Sequence, residues 1–74
     1  MIDFVLEREH VELHQLLKLV GLCDSGGAGK AMVARGGVLV DGEEESRKTR
    51  KLRAGNTVQV GEETIRIVAA ASIR

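Results

Sequence analysis

A lysine after a glycine, two histidines four apart, one cysteine and a dense basic run are the side chains here that could carry chemistry. Gly29-Lys30 invites a phosphate-loop reading. That motif needs a glycine five residues earlier, where Asp24 stands, and a Ser or Thr after the lysine, where Ala31 stands. No buried strand precedes it. His10 and His14 could share a helix face, but a zinc site needs further ligands, and only Glu7 or Cys23 lies nearby. Both histidines are therefore expected to be exposed. Cys23 has no evident base partner and reads as a small apolar filler. No nucleophile, base and orienting group assemble, so neither catalysis nor a cofactor nor a bound metal is expected.

The basic run is harder to set aside. Arg47, Lys48, Arg50, Lys51 and Arg53 fall within seven positions with no acid among them. Eleven basic and eleven acidic residues give a formal net charge of zero, so distribution matters more than the sum. The acids lie elsewhere, in Glu7, Glu9 and Glu12, in Glu43 to Glu45, and in Glu62 and Glu63. Screening confines the field of such an edge to about 8 Å at physiological salt, which is enough to attract phosphate at short range. Taken alone, the run reads better as a solvated loop. Its neighbourhood changes that. It follows a hairpin signal, which would hold the charges on a rigid ribbon. A helix expected to start near Ser25 would offer unpaired N–H groups at Ser25, Gly26 and Gly27 as a second anion site. Lys30 lies just over a turn further on, and Lys18 and Arg35 are added from position alone.

These residues need elements to position them. Ile2, Phe4 and Leu6 alternate over residues 1–6 as in a short strand. From Val11 to Val20, Leu13, Leu16, Leu17 and Val20 recur at helical spacing while Glu12, Gln15 and Lys18 face out; Gly21 sits where a C-terminal cap would. Asp24 or Ser25 can cap a second helix, with Ala28, Ala31, Met32 and Val33, beside Ala34, as its buried face and Gly36-Gly37 as its stop. Gly26, Gly27 and Gly29 cost about 1 kcal/mol each against Ala in a helix. They need a reason, such as close approach of another backbone or of a ligand. Val38 to Val40 reads as a buried strand and Asp41-Gly42 as a two-residue hairpin turn. The return strand begins at Glu43 and runs into the basic segment. After a turn at Ala54 to Asn56, residues 57–60 and 64–67 alternate as a second hairpin, and residues 69–74 read as a tail.

The chain has 74 residues, 43% apolar and 30% charged, enough for one globular domain spanning 1–74 with a single modest core. One cysteine excludes an internal disulfide and fits a reducing compartment. Neither a signal-like segment nor an apolar run near 18 residues is present, so a cytoplasmic location without membrane association is expected. A monomer is expected as well. Phe4 is the only aromatic residue, which argues against a stacking platform for single-stranded nucleic acid.

Leu13, Leu17, Gly21, Ser25, Gly36, Val38, Val40 and Asp41-Gly42 together resemble the S-four (alpha-L) RNA-binding domain named for ribosomal small-subunit protein four. That family spaces Leu, Leu, Gly, Ser and Gly in this way before a Val-x-Val-Asn-Gly segment. Leu52, Gly55, Asn56 and Val58 continue the likeness, with Asn56 where the family has Asp, so it covers about residues 11 to 60. Asp24-Ser25-Gly26, Lys30, Val40-Asp41-Gly42, Arg47-Lys48 and Ala54-Gly55 are similar to the small stand-alone YbcJ-like bacterial proteins. Gly26 stands where the wider family usually places Arg, and Glu12-Leu13-His14 where it often has Arg-Leu-Asp. The resemblance implies an α+β fold, with two packed helices against a small, mainly antiparallel sheet. It also implies non-catalytic binding of structured RNA, with ribosomal RNA the leading candidate. Ser25, Lys30, Arg47, Lys48, Arg50 and Lys51 are the contacts it implies, and Arg53 completes the same edge. A protein-interaction module of the same fold remains the alternative, consistent with the zero net charge and Gly26.

Overall fold

A computed structural model describes residues 1–70. The chain runs β1 (Ile2–Leu6), β2 (Val11–Glu12), α1 (Leu13–Leu19), α2 (Gly26–Ala34), β3 (Val38–Val40), β4 (Glu43–Glu44), β5 (Lys51–Leu52), β6 (Thr57–Val60) and β7 (Glu63–Ala69). Five strands form one sheet in the order β1-β7-β6-β3-β4. Every neighbour in it is antiparallel except β1 and β7, which pair in parallel with Phe4 opposite Ile67. β2 and β5 form a separate antiparallel ribbon that sets Val11 opposite Leu52 and Glu12 opposite Lys51. The architecture is the expected α+β arrangement of two helices and a mainly antiparallel sheet.

Period-two alternation fixes which face of the sheet is covered. Val38, Val40, Val58, Ile65 and Ile67 turn inward and are almost fully buried; Gln59 and Arg66 turn out. From the helices, Leu13, Leu16, Leu17 and Val33 fill the other half of the core, and Leu6, Val11 and Leu52 close its rim. Asp41 and Gly42, with φ of 53° and 86°, make the left-handed pair that a two-residue hairpin turn needs, as Asp-Gly predicts. The β6–β7 hairpin also forms as expected, pairing Val58 with Ile65 and Val60 with Glu63.

Several expectations are corrected. α1 begins at Leu13, because Val11 and Glu12 are drawn into the β2–β5 ribbon. The return strand after the Asp41-Gly42 turn stops at Glu44, so the basic segment is a loop up to Arg50 and enters a strand only at Lys51, in the separate β2–β5 ribbon. Five strands, not four, follow the helices. β7 extends to Ala69, opposite Leu6, one residue into the segment read as a tail; residues 71–74 lie outside the described residues. The buried face of α2 is Gly29 and Val33, with Ala28 and Met32 half-buried, while Ala31 and Ala34 are exposed. Gly29 supplies the reason its glycine needs. A Cβ there would lie 2.6 Å from the carbonyl oxygen of His14, so α2 crosses α1 at backbone distance.

Candidate nucleic-acid interface

The basic segment is fixed by its backbone. Glu12 stands at the N-cap of α1 but makes no side-chain capping bond, which leaves the first amides of the helix to find other acceptors. Leu13 N–H donates to the Arg50 carbonyl at 2.9 Å, and His14 N–H donates to the Lys48 carbonyl at 3.0 Å. The His14 ring adds a third bond, from Nδ1 to the same Lys48 oxygen at 2.8 Å. A carbonyl only accepts, so Nδ1 carries the proton. His14 is 7% exposed, against the expectation of an exposed histidine. It is a structural link between α1 and the loop, and sequence spacing misses it because its partner is a main-chain oxygen 34 residues away.

Glu45 is the second anchor, and nothing in the sequence singles it out from its acidic neighbours. Its backbone N–H still donates to Val38, continuing the ladder past β4, and its side chain turns inward under the loop. The carboxylate accepts from Arg47 N at 2.9 Å, Arg47 Nε at 3.1 Å, Arg47 Nη2 at 3.3 Å and Arg50 Nη1 at 2.6 Å. Hydrogen bonds from Arg47 and Arg50 hold its pKa at about 2, against an ordinary 4.5, despite the opposing cost of burial. The same contact raises the Arg47 pKa. The basic run thus contains an acid in space that it lacks in sequence. Arg47 stays outward, with its side chain 70% exposed, whereas Arg50 is 33% exposed.

Above this anchor, Lys30 and Ala34 of α2 face Ser46, Arg47, Lys48 and Thr49 across a groove of about 250 Å³. A second, more open depression of about 360 Å³ continues along the loop between Arg47, Thr49, Arg50 and Lys51. Cationic and hydroxyl side chains line both, a donor set that matches phosphate oxygens. The other expected residues are placed apart from the two grooves. Ser25 caps α2, its Oγ accepting from Ala28 N–H at 3.1 Å. Arg53 begins the β5–β6 turn, where its N–H donates to Asn56 Oδ1 at 2.7 Å. Arg35 is exposed at the C-terminal cap of α2. Lys18 lines a different groove, of about 410 Å³, with Phe4, Leu6, Val11 and Leu19. Cys23 is half-buried and its thiol reaches the Ser25 carbonyl at 3.5 Å. Among the described residues, no group of three or more His, Cys, Asp or Glu side chains is placed to hold a metal ion, and no helix is long and apolar enough to cross a membrane.

The chain is thus a small module in which two helices pack on a mainly antiparallel sheet and a basic loop is locked to the first helix. The sequence pattern of the S4 domain matches residues 4–68, and the chain belongs to that family. It is 47% identical over 60 residues to YbcJ of Escherichia coli, covering 81% of this chain and 86% of YbcJ, whose name assigns it provisionally to the RNA-binding proteins. It is 36% identical over 55 residues to RlbA of Bacillus subtilis, named provisionally for ribosome maturation, covering 74% and 78% of the two chains. The solution structure of E. coli YbcJ superposes with a TM-score of 0.73 at 44% identity, over 93% of this chain and 89% of that one. It is described as revealing an alfaL motif involved in RNA binding.

Proposed function

We propose that this chain is a non-catalytic RNA-binding protein that recognises structured RNA by its phosphate geometry. The observation that carries this reading is the groove where Lys30 of α2 meets Ser46, Arg47, Lys48 and Thr49 of a loop whose carbonyls cap α1. Cations on a backbone-locked loop bind a fixed array of phosphates without first being ordered. Lys51 and Arg50 extend the same edge, and Arg53 continues it along the chain. The Ser25 end of α2 adds the Gly26 and Gly27 amides, for which no acceptor is present among the described residues. Lys18 and Arg35 stand apart from this surface, Lys18 in the Phe4–Leu19 groove and Arg35 at the C-terminal cap of α2. Phe4 packs against the core, so it is not a stacking platform, and a folded or double-helical RNA fits better than a single strand.

Ribosomal RNA, bound by a single-domain monomer in the cytoplasm, is the specific reading, supported by the ribosome-maturation name of the B. subtilis relative. Crosslinking in cells, followed by sequencing of the attached RNA, tests it. Enrichment of ribosomal RNA or its precursors is expected. Absence of any enriched RNA would favour a protein-interaction module instead, and the Phe4–Leu19 groove beside the exposed Leu19 is the face such a module would use.

A further inference from the structure

We propose that Glu45 is a positioning residue for RNA recognition, holding Arg47 and Arg50 in one orientation so that the loop discriminates folded RNA from a flexible single strand. The inference rests on the RNA-binding reading above. Its basis is geometric. One buried carboxylate receives bonds from the backbone N–H of Arg47, from its Nε and Nη2 along one edge of the guanidinium, and from Arg50. Nε and Nη2 of Arg47 are committed to it, while Nη1 has no partner among the described residues and the side chain is 70% exposed. Arg47 can therefore keep one edge on Glu45 and offer the other to a phosphate in the Lys30–Lys48 groove.

The arrangement has two consequences. Pairing with Glu45 offsets part of the cationic charge, which lowers the sequence-independent attraction that every RNA shares. It also removes the freedom of two long side chains before binding, which favours a ligand whose phosphates already sit at matching positions. A flexible strand gains less from this, because it must order its own backbone to meet them.

The test compares wild-type protein with Glu45→Gln, measuring affinity against salt for an RNA hairpin and for unstructured oligouridylate. Releasing the two arginines is expected to steepen the oligouridylate salt dependence by about one to two phosphate contacts. The preference for the hairpin should fall about fivefold or more, as expected when two side chains are no longer pre-ordered. Arg50→Lys keeps the charge but loses the fork, so it should lower the preference in the same direction even if Glu45→Gln folds poorly. An unchanged slope and unchanged preference in both variants would overturn the positioning role while leaving RNA binding intact. Equal weakening for both RNAs without a steeper slope would also overturn it, since that is what mere loosening of the fold produces. Failure of wild-type protein to bind either RNA would overturn this inference and the RNA-binding reading together.

Discussion

At the scale of single residues, Glu45 makes a prediction about acid stability. Its folded pKa of about 2 lies below the ordinary 4.5, so its ion pairs contribute fully above pH 4.5 and are lost as pH falls from there towards 2. Thermal unfolding of Glu45→Gln should therefore show a flatter decline than wild type across that window, and parallel declines would count against the pairing. A second pair of residues, far apart in sequence, forms one polar join. Asp41 opens the hairpin turn, and Asn56 is the residue that differs from the Asp of the resemblance. In the fold these side chains meet. Asn56 Nδ2 donates to Asp41 Oδ2 at 2.6 Å, Asp41 Oδ1 accepts from Thr57 N–H at 2.9 Å, and Asn56 Oδ1 accepts from Arg53 N–H. The join thus pairs one amide with one carboxylate. Asn56→Asp alone should cost about 1 kcal/mol or more by facing two carboxylates, and Asp41→Asn about 1 kcal/mol, while the double exchange restores most of the loss. Chemical denaturation of the four proteins measures the coupling. Strictly additive losses would mean the two positions do not compensate. Neither Glu45 nor this pair was legible in the sequence, because each works through a partner that only the fold brings near.

Among the elements, the crossing of α1 and α2 depends on one glycine. A Cβ at Gly29 would collide with the His14 carbonyl, a backbone atom that cannot swing away, and would press on Cys23 Sγ at 3.3 Å. Gly29→Ala should cost about 1–3 kcal/mol in denaturant unfolding, in line with overpacking of a tight contact. Gly27→Ala is the contrast, since its Cβ would meet only Ser25 Oγ at 3.8 Å. That change should stabilise the helix by up to about 1 kcal/mol. Equal effects at the two positions would contradict the close crossing. Helical spacing made α1 readable, the Ser25 cap and Gly36-Gly37 bracketed α2, and Asp41-Gly42 marked the hairpin. The buried face of α2 was misread because periodicity counts apolar side chains, whereas here a residue with none occupies the contact. The basic loop was misread as a ribbon for a related reason. Its bonds run to amides of α1 and to Glu45, and these leave no alternating pattern.

For the whole molecule, the net charge of zero conceals a division of surfaces. The sheet edge at β4 carries Glu43 and Glu44, while Lys30, Lys48 and Lys51 gather across α2 and the loop. Fold and family were legible because the glycines, the leucine spacing and the Asp-Gly turn are local. The composition of the groove was legible only in part, since Lys30 and the loop are far apart in sequence. These lysines make better probes of the surface than Arg47 and Arg50, whose reversal would set new carboxylates against Glu45.

The most direct test is the affinity of wild-type protein and of Lys30→Glu/Lys48→Glu for a structured RNA, each at low and higher salt. Binding through several phosphates predicts at least a tenfold loss for wild type between about 50 and 200 mM salt. The double variant, with unchanged unfolding, should bind at least about tenfold more weakly at low salt and with a shallower salt dependence. Wild-type affinity indifferent to salt, or a double variant that binds as tightly as wild type, would contradict a phosphate-reading surface between α2 and the basic loop.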